Sequence, residues 1–457
     1  MTKHYDAIVI GSGQGGTPLA RAFAEAKKNT AIIERDQVGG TCINYGCTPT
    51  KAMVASAEVA YQARRANVYG VHAGEISVDM TKVRERKRSI VASFRSGTER
   101  RVEHVEHLDL LRGDARFTGN KSLAIALRDG GMIEATAGAI FIDTGTRSAV
   151  PDIEGLSDVP HLDSTSIMEL DAVPEHLIVL GGGYVGLEFG QMFRRFGSQV
   201  TVVNRGRQLL AREDADIAEQ VLAILREDGI EIHNGAVAKR IRKQGDAIEV
   251  DAGLDEPIRG THLLVATGRV PNIEKLGLEH AGVKTDSRGF IIVNGKLETN
   301  VPGIYALGDV NGGPMFTHIS YDDFRVVRSN LLEGKSATTE GRMVPYTVFI
   351  DPQLGRIGQT ETELKRSRRP VQVATMPMSY VARALETDQS RGSMKAVVDP
   401  ETKQILGFAA LSMQGGEIAA MVEIAMMGRL PYTALRDGIF SHPTLSEALN
   451  NLFATLS

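Results

Sequence analysis

Short, continuously apolar runs recur along the chain. Asp6-Ala7-Ile8-Val9-Ile10, Ala31-Ile32-Ile33, Ala139-Ile140-Phe141-Ile142, Leu177-Ile178-Val179-Leu180, Val200-Thr201-Val202-Val203 and Leu263-Leu264-Val265 are of this kind. Apolarity without alternation predicts strands covered on both faces, as in a parallel sheet. Between them the pattern lengthens. Helices are expected from the first glycine turn through Ala26, from Ala52 to about Tyr69, from Thr81 to about His107, and from a second glycine turn to Phe196. Leu108–Asp143 reads as short strands separated by turns such as Asp129-Gly130-Gly131, and Pro151–Pro174 as a linker into a new unit. From about Met343 strands such as Val344–Ile350 and Met394–Val398 mix with helices over Ile418–Gly428 and Ala448–Leu456. The fold class is α/β: two Rossmann-like units followed by a smaller α+β unit. The expected division is 1–150, 151–272, a return to the first unit over 273–340, and 341–457.

The glycine turns carry the first chemistry. The opening strand meets Gly11-Ser12-Gly13-Gln14-Gly15-Gly16, then a helix, then a strand ending in Glu34. In a dinucleotide site Gly11 allows the tight turn, Gly13 lets a pyrophosphate approach the backbone, and Gly16 permits close helix–strand packing. Glu34 is placed to accept ribose hydroxyls. The arrangement recurs at Gly181-Gly182-Gly183-Tyr184-Val185-Gly186, which makes a second nucleotide site, and Leu263–Gly268 closes that unit. Here the acid position is Asn204, followed by Arg205 and Arg207. A carboxylate would repel a ribose 2′-phosphate and arginines can clamp one, so this site favours NADPH over NADH; two surface arginines are the competing reading. Ala306-Leu307-Gly308-Asp309 ends a returning strand, with Asp309 placed for ribityl or ribose hydroxyls. A helix after Phe316 would point its positive end at the cofactor.

Composition then narrows the class. A formal charge of -4 over 457 residues gives no basis for nucleic-acid binding, and no apolar run reaches membrane-spanning length. Met1-Thr2-Lys3-His4-Tyr5 runs straight into a strand, which leaves no room for a signal peptide and predicts the cytoplasm. That setting changes how the cysteines read. The chain holds two, Cys42 and Cys47, with four residues between them, flanked by Gly39, Gly40, Thr41 and Lys51. Cytoplasmic disulfides are mostly transient and catalytic or sensing, which favours redox chemistry, with inert thiols or metal ligation as alternatives. No third cysteine exists to complete a metal site, and no metal is assigned.

Two features stand apart from the nucleotide sites. The helix after Thr81 carries Lys82, Arg84, Arg86, Lys87, Arg88 and Arg95; interspersed Glu85 and Glu99 favour an ordinary solvated face over a docking site for an anionic partner. Near the end, Ser441-His442-Pro443-Thr444-Leu445-Ser446-Glu447 offers a histidine that Glu447 can orient, with Pro443 suited to a first helical position. A His–Glu pair alone is weak and gains weight only beside a redox thiol.

Taken together, the two glycine fingerprints, the Gly-Gly-Thr-Cys-x4-Cys-x-Pro-x-Lys stretch ending at Lys51, Gly308-Asp309 and His442-Pro443-Thr444-x-x-Glu447 resemble the pyridine nucleotide–disulfide oxidoreductases. This is the family of glutathione reductase, lipoamide dehydrogenase and mercuric reductase, and the likeness is greatest to its mercuric-reductase-like and reactive-chlorine-resistance flavoproteins. The resemblance implies FAD in the first site, with Gly40, Thr41, Lys51, Thr144 and Gly145 among its neighbours, and NADPH in the second, with Gly268. It implies a homodimer formed by the C-terminal unit, in which His442 completes the partner's site. Cys47 would be the thiol beside the flavin, Cys42 the outer interchange thiol, Lys51 and Glu188 an ion pair near the flavin, and Tyr184 the gate of the nicotinamide pocket. Electrons would pass from NADPH through FAD to the Cys42–Cys47 disulfide and on to a small disulfide, a metal ion or another electrophile. The missing C-terminal cysteine pair counts against efficient mercuric reduction and excludes the large thioredoxin reductases. The alternatives are an NADH-using lipoamide-type dehydrogenase and a redox-sensing or metal-binding flavoprotein of low turnover.

Overall fold

The computed structural model describes residues 2–456. Its first sheet is built on Lys3–Ile10, which pairs in parallel with Thr30–Glu34 on one side and Met132–Ile142 on the other. Leu108–Gly119 extends the sheet beside Thr30–Glu34, and Ile304–Ala306 beside Met132–Ile142. Ala7, Ile8 and Val9 are fully buried, as continuous apolarity requires of a strand covered on both faces. The returning strand Ile304–Ala306 comes from far along the chain, so the segment between is an insertion into the first unit.

That insertion has its own parallel sheet in the order His262–Val265, His176–Leu180, Gln199–Asn204, Glu231–Asn234. Thr146–Ser148 and Arg269–Pro271 pair antiparallel where the chain leaves and re-enters the first unit, so both crossings are tied together. The last part is an antiparallel five-stranded sheet, Tyr346–Val348, Gln353–Gly358, Ile405–Ser412, Ser393–Val398 and Gln372–Pro377, covered by helix Gly415–Met427. Among the described residues no helix is long and apolar enough to cross a membrane.

Three local expectations are corrected. The helix expected from Ala52 begins at Cys47 and ends at Arg64; Pro49 sits in its first turn, where a missing N–H costs no intrahelical bond. The helix expected to reach His107 runs Met80–Glu99, because His104 and His107 adopt left-handed backbone angles that a helix cannot hold. Pro443 does not open a helix. The Thr444 hydroxyl donates to the Ser441 carbonyl and accepts the Glu447 N–H, closing a side-chain turn, and the helix starts at Ala448.

The basic helix is solvated at Lys82, Glu85, Arg86 and Arg88, but several of its charges are paired. Lys87 is buried and donates to Glu169 and to the Met168 carbonyl, Arg88 pairs with Glu169 at 2.5 Å, and Arg84 with Asp171. Arg86 donates to the Ala52 carbonyl and Arg95 to Asn44. These charges hold the segment 166–171 that leads into the second unit, and they brace the cysteine stretch.

Candidate active site

The first glycine turn is caged. Gly11 has φ +107°, and a Cβ there would lie 2.3 Å from the Asp143 carbonyl oxygen; one on Gly16 would lie 2.3 Å from the Gly11 carbonyl. Gly40, just before the cysteines, presses on the same turn: its Cβ would sit 2.7 Å from the Gly13 Cα. Glu34 is buried at the end of its strand and accepts from the Ser12 N–H, the Ser12 hydroxyl and the Asp36 N–H at 3.1, 2.6 and 2.7 Å. A cavity of ≈ 730 Å³ runs from Glu34 past this turn to Cys47 and Tyr184. In its wall the Thr144 hydroxyl is buried without a hydrogen-bond partner, Gly145 turns at φ +62° with open space before it, and Asp309 accepts from Thr146 at 2.9 Å. Burial raises the Asp309 carboxyl above the usual range, against the pull of Thr146 and Arg269. A long groove with a glycine-lined floor, an orphaned hydroxyl and the acids Glu34 and Asp309 in its wall fits a flavin dinucleotide.

The thiols lie farther along this groove, both reduced. Cys42 sits on the short helix Gly40–Asn44, and Cys47 is the first residue of helix Cys47–Arg64. The loop between them is fixed by Asn44, whose amide donates to the Val38 and Gly40 carbonyls at 3.1 and 3.0 Å and whose oxygen accepts from Arg95 at 2.7 Å. Tyr45 donates to Asp36. The Thr317 hydroxyl, at the start of helix Thr317–Leu331, donates to Cys42 Sγ at 3.0 Å and lies 3.5 Å from Cys47 Sγ. The pair is polarised. The hydrogen bond from Cys42 holds the Cys47 thiol down at about 6, helped by Thr317 and Lys51 and opposed by burial and the Glu188 charge. The same bond, with burial, pushes the Cys42 thiol up. One thiolate and one thiol therefore coexist at neutral pH.

Lys51 Nζ meets Glu188 at 2.5 Å and lies 4.7 Å over the Phe349 ring, while the Phe349 N–H donates to the other Glu188 oxygen at 2.8 Å. One buried carboxylate thus joins all three parts of the chain beside the thiols. Tyr184 lines the cavity, its ring 6.1 Å from Phe316, which stacks on Tyr346 at 5.4 Å.

The second glycine turn repeats the crossing but not the cage. Cβ atoms on Gly181 and Gly186 would meet backbone at 2.4 and 2.2 Å, whereas one on Gly183 meets nothing within 4 Å. Asn204 is buried and occupied: its amide donates to the Gly206 and Gln208 carbonyls and to Asn234 at 3.1, 2.9 and 2.8 Å. Arg205 and Arg207 project into solvent from the turn that Asn204 holds. Gly268, at φ +151°, faces open space and its carbonyl accepts the Ala149 N–H at the unit crossing.

His442 and Glu447 form their pair, at 2.8 Å, with His442 exposed. Neither lines the cavity of its own chain. Sequence reading missed Asp143, Thr317, Phe316 and Tyr346. Thr317 touches a cysteine 275 residues away, so no local spacing announces it. Asp143 carried a signal: a charged residue closing a strand as apolar as Ala139–Ile142.

The comparisons with known proteins agree on the family. The model described as pyridine nucleotide-disulphide oxidoreductase matches residues 5–323, and the model for the dimerisation domain of these proteins matches residues 344–453. The chain is 38% identical over 454 residues to the probable pyridine nucleotide-disulfide oxidoreductase RclA of Escherichia coli, covering 98% of this chain and 99% of the relative. It is 34% identical to a mercuric reductase of Streptomyces lividans (97% and 94% covered) and 33% identical to a dihydrolipoyl dehydrogenase of Haloferax volcanii (97% and 94% covered). Among solved structures, the Cu(II) complex of the HOCl-induced flavoprotein disulfide reductase RclA from Escherichia coli superposes with a TM-score of 0.92 at 38% identity, covering all of both chains.

Proposed function

The chain belongs to the pyridine nucleotide-disulphide oxidoreductases, and from that premise we propose that it is an NADPH-dependent FAD enzyme whose thiol pair reduces a small thiophilic acceptor. The observation that carries this reading is the thiol pair itself: Cys42 and Cys47 share the Thr317 hydroxyl at the end of a nucleotide-sized groove, with Cys47 the more acidic of the two.

Gly11, Gly13, Gly16, Glu34, Gly40, Thr41, Thr144, Gly145 and Asp309 would hold FAD, which when bound supplies the two-electron link between nicotinamide and thiols. Gly181, Gly183, Gly186 and Gly268 would seat the nucleotide, with Arg205 and Arg207 on the 2′-phosphate and Tyr184 moving aside for the nicotinamide. Lys51, fixed by Glu188, helps keep Cys47 anionic at neutral pH. Cys42 is the thiol that meets the acceptor. Oxidising the pair, one thiolate and one thiol, to a disulfide releases two electrons and one proton; with a second proton taken from solvent they cleave one disulfide to two thiols, and the two electrons alone convert two Cu(II) ions to Cu(I). A thiophilic metal ion is the first acceptor to test, because the similar flavoprotein named above was solved with Cu(II).

A homodimer, as the matched dimerisation domain suggests, would serve the same scheme. Helix Gly415–Met427 leaves Ile424 64% exposed, with Met421 and Met427 beside it, and Ile439 near His442 is wholly exposed. A second copy would cover this apolar face and bring His442, oriented by Glu447, to the acceptor as the group that takes and returns a proton. A dithiol enzyme of this kind suits the reducing cytoplasm.

A second reading keeps a disulfide acceptor with NADH, in the manner of a lipoamide-type dehydrogenase. The His442–Glu447 pair favours its acceptor half, and the missing acid at position 204 counts against NADH. The test is NADPH oxidation with Cu(II), Hg(II), small disulfides, quinones and hypochlorite products, run on wild type, Cys42→Ser and His442→Ala. The true acceptor should lose at least about 10²-fold in rate with Cys42→Ser. An acceptor-dependent rate that ignores that substitution sinks the thiol assignment.

A further inference from the structure

Asp143 is a buried acid of the cavity wall with no task in the proposed electron path. It follows the strand Met132–Ile142, and its carboxyl lies beneath the first glycine turn. Cβ atoms on Gly13 and Gly16 would fall 2.7 and 2.8 Å from its oxygens, too close without a shift, and one on Gly308 would fall 3.1 Å away, a tight contact. Among the described residues its carboxyl has one hydrogen-bond partner, the Gly16 N–H at 2.7 Å, and no salt bridge reaches it. The charges around it are acids: Glu34 from its strand, Asp309 from the turn Gly308–Asn311, and Asp323 from helix Thr317–Leu331. Arg342 is committed to Asp323, and Arg269 donates to the Thr146 hydroxyl and carbonyl. Helix Gly16–Glu25 brings only its N–H groups and the positive end of its dipole.

An ionised carboxylate so enclosed lacks the partners that offset desolvation, and one helix N-terminus recovers only part of the cost. Burial first, then the three acids, push this group well above the usual carboxylate range. The backbone directly above it, at Gly13, is where a diphosphate approaches. An anion there would oppose the phosphates; an uncharged acid does not.

We propose that Asp143 belongs to the flavin-diphosphate cradle and serves there as an uncharged carboxylic acid, so that FAD binding and protonation of Asp143 favour one another. The inference rests on the reading of this cavity as the FAD site. By linkage, FAD holds the proton on Asp143 and the proton holds FAD. FAD is then retained at neutral pH and loosened as the solution turns alkaline.

Apoprotein titrated with FAD, followed by flavin fluorescence quenching from about pH 6 to about pH 10, tests this directly. Wild-type affinity should fall on the alkaline side by up to about tenfold per pH unit, and Asp143→Asn should bind FAD with a flat profile. Calorimetry in two buffers of different ionisation enthalpy should find wild type taking up close to one proton per FAD on that alkaline side. Parallel profiles for the two proteins overturn the proposal. So does wild-type binding without proton uptake anywhere in the range, a measurement that does not need the variant to fold. Failure to bind FAD at any pH would instead overturn the cofactor reading, which separates the two.

Discussion

The two glycine turns share a pattern and differ in their surroundings. At both, the outer glycines are forced by close backbone crossing: Gly11 and Gly16 in the first, Gly181 and Gly186 in the second. The middle glycine separates them. Gly13 is enclosed, with Asp143 below it and Gly40 against it, while Gly183 faces open space. The strands beside them diverge too, one ending on an acid that grips Ser12 and the other on an amide that grips its own turn. The first turn is built into the protein interior, as suits a cofactor that stays. The second is left open, as suits a nucleotide that must arrive and leave in each cycle.

The largest expected effect comes from exchanging the residues that end the two strands. Asn204→Asp would aim a carboxylate at three acceptors, the Gly206 and Gln208 carbonyls and Asn234. The cost should be on the order of 2–4 kcal/mol, read as a lower midpoint in urea denaturation. If the variant keeps the wild-type midpoint and simply turns toward NADH, position 204 reads the ribose and the contrast fails.

Next in size is the open turn's specificity. Arg205→Ala with Arg207→Ala should raise the KM for NADPH about 10–100-fold and leave that for NADH unchanged. Equal losses with both nucleotides would make the arginines general anchors.

A smaller, more direct probe compares the middle glycines. Gly13→Ala pushes a methyl into the caged Asp143 carboxyl and should cost about 1–2 kcal/mol, with purified protein short of FAD. Gly183→Ala should change stability by no more than about 0.5 kcal/mol and leave FAD content intact. Comparable destabilisation by both would erase the distinction.

Much of this was legible in the chain. The glycine spacing, the acid at Glu34 and the x4 spacing of the cysteines are local features, and local sequence carries them because strand, turn and helix follow one another directly. Asn204 shows the limit. Its identity predicted a missing acid, but its work, clamping the turn that presents Arg205 and Arg207, depends on carbonyls whose direction only the folded turn sets. Lys87 shows another. A basic helix with scattered glutamates reads as a solvated face, and only packing reveals that Glu169, more than 80 residues on, neutralises it. Thr317 was invisible as a site residue for the same reason, its partner cysteines being brought by helix docking, and Asp143 showed only as a charge closing an apolar strand, its place under the glycine turn being set by strand order.

The smallest effect concerns how far the closed side of the contrast reaches. Helix Thr317–Leu331 contributes Ser320 to the cage, where it faces Gly15 and Gly308, and one turn earlier places the Thr317 hydroxyl on the thiols. If the cage and the thiols are one rigid construction, removing that hydroxyl alone should weaken the Cys47 thiolate without loosening FAD. The sign follows from the depressed thiol: Cys47, at about 6, is an anion above that pH, and its stabilisation is lost as pH falls through it. Thr317→Val keeps the shape and removes the donor, so the titration should move up by about half to one pH unit. Alkylation of the reduced enzyme near pH 6 should then slow about two- to fivefold, with no change near pH 8.5, where both proteins are thiolate. Superposed pH–rate profiles would mean that Cys42 and Lys51 hold the charge unaided, and the closed side would end at Ser320.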